Sequence, residues 1–241
     1  MASDSLEMVT YDLSHRIETD MTTYPGDPDV SVDPQATHAD DGCRVSSVAM
    51  GSHTGTHVDA PSHTEAGGSD LDAFDVGTFV FEARVVSLDK DPREPITTAD
   101  LAEGVSASAT DDSVEDDGSA SDTDPTDDAD CLLLHTGWDT RWNTDAYLDY
   151  PYLTPEAAAW CAERDYHIGV DALNVDPTPS ANATADEPAG FAVHHVLLGD
   201  ERLIIENLRG LDAVPTRFRL YAFPLALADA DGAPVRAVAV A

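Results

Sequence analysis

The sequence predicts an α/β fold built on a mixed sheet, and three observations carry that prediction. Residues 79–88 (FVFEARVVSL) are β-branched and aromatic, the composition of a strand. Residues 131–134 form an apolar run stopped by Thr136 and Gly137, which reads as a buried strand. A helix start then precedes a third apolar run at 166–170, so a strand–helix–strand unit spans residues 131–171. Elements alternating in this way lay helices against a sheet.

From the N-terminus, residues 9–13 read as a short strand. A turn follows at Tyr24, Pro25, Gly26, Asp27 and Pro28, where Pro-Gly presets the reversal and the second proline keeps the chain extended beyond it. Residues 43–50 alternate enough for a strand that leads into a histidine-rich segment at 51–68. The helix after residue 153 is signalled by Thr154 as cap, Pro155 at the first helical position and Glu156 in the first turn. Ala157, Ala158, Trp160 and Cys161 give it a buried face. A short helix is expected within 188–198, strands at 203–205 and 218–227, and an extended tail after that. Residues 106–130 break the pattern: ten of these 25 residues are acidic, none is aromatic, and Val114 is the only large aliphatic one. Such a stretch cannot bury enough apolar area to offset its ordering entropy. A solvated, mobile acidic insertion is expected there, within one domain spanning residues 1–241.

Charge narrows the function classes. The 241 residues include 47 Asp and Glu against 12 Lys and Arg, a formal net charge of −35, and Lys90 is the only lysine. A surface this acidic repels phosphate backbones and anionic lipid, which excludes nucleic acid and membrane surfaces as expected partners. No stretch approaches the roughly 20 apolar residues of a membrane span. The N-terminal residues lack the basic start and apolar run of a secretory signal, and Cys43, Cys131 and Cys161 form no CxxC pair. A cytoplasmic location is expected. Near-absent lysine with abundant aspartate matches proteins of salt-loving organisms. Self-repulsion should then require molar salt, where the Debye length falls to about 3 Å.

The chemistry concentrates in one segment, Gly51-Ser-His53-Thr-Gly55-Thr-His57-Val-Asp59-Ala-Pro61-Ser-His63, with three of the nine histidines. Imidazole and carboxylate are the ligands of Zn²⁺ and Mn²⁺. On a helix, Asp59 would point away from His53 and His57. On a straight strand all share one face, but His53 and His57 stand about 13 Å apart at roughly 3.3 Å per residue. A bent, extended loop brings them together, and Gly55 with Pro61 supplies the bend. Thr54, Thr56 and Val58 then face the other side. A second cluster holds His194 and His195, followed by Glu206 after the apolar residues 203–205. Covalent catalysis is disfavoured, since no G-x-S-x-G turn occurs and no cysteine has a histidine neighbour in sequence. Asp171 and Asp176 lie after a strand and read equally well as residues touching the site or as structural turn residues, so they stay outside the catalytic set. His135 and His167 read as structural strand-end residues.

The motif His53-Thr-Gly55-Thr56-His57-Val-Asp59-Ala-Pro61-Ser-His63 resembles the hallmark of the metal-dependent cyclase family, which includes bacterial kynurenine formamidase (arylformamidase) and isatin hydrolase. Further matches are Asp12-Leu13-Ser14, Tyr24-Pro25-Gly26-Asp27, Thr136-Gly137-Trp138, Gly169-Val-Asp171, and His194 twelve residues before Glu206. The resemblance implies a swivelling β/β/α-type fold with a mixed sheet, assembled as homodimers or homotetramers. It implies that His53, His57 and Asp59 bind one divalent metal ion, Zn²⁺ foremost or Mn²⁺. Asp59 would bridge to a second ion completed by His194 and Glu206, while His63 transfers protons. The twelve-residue spacing favours His194 over His195. Tyr24 stands where the kynurenine formamidases carry a tryptophan against the substrate, and tyrosine can still stack. The implied activity is hydrolysis of a small amide, N-formylkynurenine to kynurenine plus formate. A cyclic amide such as isatin is the alternative within the same chemistry, and a non-catalytic metal-binding protein is the alternative from another class.

Overall fold

A computed structural model describes residues 8–110 and 128–241. Thirteen strands occur among them: β1 Thr10–Asp12, β2 Ser31–Ala36, β3 Val45–Ala49, β4 His57–Asp59, β5 Val80–Ser87, β6 Pro95–Ile96, β7 Cys131–His135, β8 Tyr152–Leu153, β9 His167–Val170, β10 Ile204–Glu206, β11 Arg217–Tyr221, β12 Gly232–Pro234 and β13 Val238–Val240. The helices are α1 His38–Asp41, α2 Thr98–Thr110, α3 Pro155–Ala162 and α4 Ala192–Gly199. Nine strands form one mixed sheet in the order β1-β13-β11-β5-β7-β9-β10-β4-β12. The central run β5-β7-β9-β10 is parallel and both flanks are antiparallel.

Both faces of the parallel run are covered, which is why β7 is apolar at successive positions rather than alternating. Leu132 and Leu134 face α2, α3 and α4, where they meet Leu101, Ala158, Cys161 and Leu197. Cys131 and Leu133 point the other way, into a second core with Phe81, Ile205 and Leu220. The sheet curls on itself, since Ser14, just past β1, bridges Leu208, just past β10. The curl is tight at Gly169, where a Cβ would stand 2.5 Å from Leu133 and 2.8 Å from Leu208.

The expected α/β class with a mixed sheet is what the structure has. Thr154 caps α3 by accepting from the Ala157 amide at 3.1 Å, and Ala157, Ala158 and Cys161 are buried. Several elements differ. Residues 106–110 belong to the end of α2 rather than to an insertion. Asp130 is tied to the sheet, its amide donating to the Glu82 carbonyl at 3.0 Å and its carbonyl accepting from the His167 amide at 2.8 Å. Residues 111–127 of the expected insertion lie outside the described residues. The signal for α2 was present in Thr97 and Asp100, whose side chains cap each other's amides at 3.4 and 2.7 Å. The strand expected at 43–50 is β3, but its partner β2 was not foreseen, and the β3 residues are exposed. The strand expected over 218–227 ends at Tyr221, and the tail contains β12 and β13. Among the described residues no helix is long and apolar enough to cross a membrane.

Candidate active site

Strands β4 and β10 lie side by side, antiparallel, with Glu206 opposite His57 and Ile204 opposite Asp59. Residues two apart on a strand share a face, so His57, Asp59 and Glu206 leave the sheet together. His57-Val58-Asp59 is therefore strand, and the bent loop expected for the whole motif is confined to the residues before it. Gly55 makes the bend at φ +62°, and an added Cβ there would meet Met21 at 3.2 Å. That bend folds His53 back, bringing its ring centroid to 5.1 Å from that of His57 and Nδ1 to 2.7 Å from Asp59 Oδ1. Thr54, Thr56 and Val58 are buried on the other side, as the pattern predicts.

His194 enters from α4. Its Nε2 lies 3.6 Å from Asp59 Oδ2 and 3.5 Å from Glu206 Oε1. His63, in the short turn Pro61–His63, stands with its ring 4.0 Å from His53 and 5.6 Å from His194. The structure thus brings together all six histidines and acids singled out in the sequence: His53, His57, Asp59, His63, His194 and Glu206. Tyr24 lines the same cleft. His195 does not join them; it is exposed and pairs with Glu65 at 2.7 Å.

Two acids that sequence reading left out hold these rings in place. Asp176 accepts from His194 Nδ1 at 2.8 Å and from the amides of Val193 and His194 at 2.8 and 3.0 Å, so one carboxylate both caps α4 and orients the imidazole. Asp231, just before β12, contacts His53 Nε2 at 3.1 Å and His63 Nδ1 at 3.4 Å. His57 Nδ1 donates to the Gly55 carbonyl at 2.8 Å. His53, His57 and His194 therefore each have an outer acceptor on one nitrogen and present the other to Asp59, the arrangement that fixes the tautomer of a ligating histidine.

The inward atoms then have a charge problem. His57 Nε2 carries a lone pair once Nδ1 holds the proton, yet it faces Asp59 Oδ1 at 3.2 Å and Glu206 Oε2 at 3.6 Å. Asp59 Oδ2 and His194 Nε2 are buried without any hydrogen-bond partner. The two ways to relieve facing lone pairs are protons or a cation. Without a cation, the protonation pattern shows the strain. Burial opposes charge on His53, but Asp59 and Asp231 outweigh it and raise its pKa to about 10. Burial likewise opposes charge on His194, and Asp176 and Asp59 raise it to about 10. Burial and the Asp59 charge push Glu206 up to about 7.

The donor atoms fit a cation instead. Two sets, His53/His57/Asp59 and Asp59/His194/Glu206, each offer three ligand atoms within 4.8 Å of one another, with Asp59 common to both. The separations of 3.2–3.6 Å among His57, Asp59, His194 and Glu206 are near the edge of a tetrahedron whose ligands lie about 2.0–2.1 Å from a central Zn²⁺, while His53 and Asp59, at 2.7 Å, stand at hydrogen-bond distance. A cleft of about 300 Å³ opens onto this cluster, lined also by Tyr24, Leu173, Asn174 and Phe191. A larger open groove of about 840 Å³, beside Arg16, Trp142 and Arg209, holds no such convergence of donors.

Three imidazoles and two carboxylates at the floor of an aromatic-walled cleft, on a curled mixed sheet, have the makeup of a hydrolytic metal centre. Residues 11–177 match the family model described as "Putative cyclase", and the chain belongs to the cyclase family. It is 30% identical over 234 residues to the kynurenine formamidase of Bacillus mycoides, covering 94% of this chain and 95% of that one. The kynurenine formamidase of Geobacillus thermodenitrificans is 28% identical over 232 residues, covering 94% of each. Among solved structures, isatin hydrolase A from Labrenzia aggregata superposes with a TM-score of 0.76 at 22% identity, over 97% of this chain and 93% of that one, a likeness of fold.

Proposed function

We propose that the protein is a metal-dependent amidohydrolase of the arylformamidase type, converting N-formylkynurenine, or an aryl formamide like it, to the aryl amine and formate. The observation that carries the reading is the pair of donor sets sharing Asp59, with its Oδ2 and the facing His194 Nε2 buried and unpartnered. In this reading His53, His57 and Asp59 hold one divalent ion, and Asp59, His194 and Glu206 a second. The imidazole and carboxylate ligands favour Zn²⁺, with Mn²⁺ as the alternative. When bound, such a cation supplies Lewis acidity, lowering the pKa of water and polarising a carbonyl.

The chain's own residues do the rest. Asp231 takes the Nδ1 side of His63, which leaves Nε2 as the ring's free basic atom. Burial keeps the His63 pKa below its ordinary value, so the ring is neutral and able to accept a proton near pH 7. His63 takes the proton from the attacking water as the C–O bond forms, then delivers it to the amine nitrogen as the C–N bond breaks. Asp176 and Asp231 keep the imidazoles aimed while the charge moves. An open cleft beside the donors and the presence of His63 favour this reading over a closed, non-catalytic metal store, in which four protein ligands would complete each site.

The cyclase resemblance also supports a homodimer or homotetramer, and the exposed Val45 and Val48 on the β2–β3 hairpin suit such contacts. The net charge of −35 supports a requirement for molar salt and a cytoplasm that holds it; the melting temperature should rise steadily as KCl is raised from about 0.1 to 3 M. Metal-loaded protein in high salt should hydrolyse N-formylkynurenine faster than isatin. Faster turnover of isatin selects the cyclic amide, and no turnover of any amide, ester or lactam rejects the enzyme.

A further inference from the structure

Phe191 stands at the N-cap of α4, a position that ordinarily takes Ser, Thr, Asp or Asn. Here the cap comes from elsewhere: Asp176 accepts from the Val193 and His194 amides, and the Phe191 side chain takes no part. The position is free to carry a large ring at the cost of a local rule, a cost that proteins accept at functional sites. That ring is 37% exposed, and it lines the cleft over the donor cluster. Its centroid lies 5.5 Å from His194, 6.2 Å from His63 and 6.2 Å from Tyr24, with the Phe191 and Tyr24 planes 42° apart.

Two rings at that distance and tilt form a V-shaped wall. They stand too close to admit a third ring between them, but a planar ring in the open side of the V can stack on one and meet the other edge-on. Ion pairing offers no substitute. Among the described residues no lysine or arginine lines the cleft, and apart from the donor cluster itself their only charged side chain there is Asp27. The two rings, with Pro25 and Leu173, are the apolar surface this lining offers an uncharged aryl group.

The geometry points to Phe191 as a specificity-determining residue that, with Tyr24, reads the π face of an aryl amine on the leaving side of the amide. This rests on the hydrolase reading above and adds to it a selection for aryl over saturated rings of equal size. The test uses the full-length, metal-loaded protein in molar KCl, as wild type, Phe191→Leu and Phe191→Tyr, with formanilide and N-formylcyclohexylamine as paired substrates. The readout is the ratio of the two kcat/KM values relative to wild type, so the intrinsic lability of the anilide cancels. Phe191→Leu should lower the ratio about five- to tenfold, chiefly through KM for formanilide, while Phe191→Tyr should keep it within about twofold. Metal content should match throughout, and Phe191→Met replaces the leucine variant if that one fails to fold. An unchanged ratio, or an equal loss on both substrates, overturns this inference and leaves the hydrolase reading standing. No turnover of either substrate by the wild type overturns both.

Discussion

Asp171 and Asp59 are both fully buried, and what surrounds each is opposite. Asp171, just past β9, accepts from the Thr136 amide at 2.9 and 3.0 Å, the Thr136 hydroxyl at 2.6 Å and the Gly137 amide at 2.7 Å. Burial still pushes its pKa up to about 6, but every contact is a proton offered to it, and together they tie the ends of β7 and β9. Asp59 meets three imidazoles instead, and with no cation present the charge balance falls on those rings, His53 and His194 being raised to about 10, while a second acid, Glu206, faces the same ligands. A buried carboxylate held by fixed amide and hydroxyl donors is scaffold. One held by titratable imidazoles, beside a second acid and with protons that a cation can replace, marks the site.

The sharpest way to break this comparison is to neutralise both. Asp59→Asn should cut amide turnover at least about a thousandfold and empty the centre, while the melting temperature stays near that of the wild type. Asp171→Asn should keep its metal and instead lose about 1–3 kcal/mol of stability, read by denaturant unfolding in high salt. Equal effects from the two would erase the distinction. Next in size is His63→Ala, which should lower kcat by about 10²–10⁴-fold with metal content unchanged. Loss of the metal would move His63 among the ligands. Asp176→Asn should weaken metal affinity by about 10–100-fold, measured by competition with a chromogenic chelator, because His194 loses the acceptor that orients it.

A last test, which leaves turnover untouched, extends the scaffold side of the comparison. Burial, aided by Arg202, holds His167 at about 4, and its Nδ1 accepts from the Leu203 amide at 2.8 Å. The unfolded chain, with a histidine near 6.5, binds more protons between those values, so this contribution is intact above pH 6.5 and falls away as the pH drops toward 4. The loss amounts to about 3 kcal/mol across that window, and His167→Gln should flatten it in pH-dependent melting curves.

Much of the site was legible because its ligands are close in sequence or carry a fixed spacing. His53, His57, Asp59 and His63 lie within eleven residues, and the strand parity of His57 and Asp59 follows from their separation of two. His194, His195 and Glu206 stood out as a second cluster, and the family spacing chose His194 over His195. Asp176 and Asp231 were not, since an isolated aspartate before a helix or in the tail reads as a turn residue until its tertiary partners are known. Asp231 meets His53 only because Gly232 pairs with Asp59 across β12 and β4. Nothing in Gly232-Ala-Pro234 carries strand propensity, so that edge of the sheet was invisible in sequence. Phe191 had one faint signal, a large apolar residue three places before a histidine at the start of a helix. The parallel core was the clearest feature, because strands covered on both faces read as near-continuous apolar runs, as residues 131–134 do.

The most direct test of the central claim is metal stoichiometry measured beside the hydrolytic rate, on salt-stabilised protein before chelation, after it and after reconstitution. The account predicts one or two divalent ions per chain, loss of the rate with the metal, recovery on adding Zn²⁺ or Mn²⁺, and neither metal nor rate in Asp59→Asn. A wild-type protein that binds no divalent metal, or whose rate survives complete chelation, would contradict it.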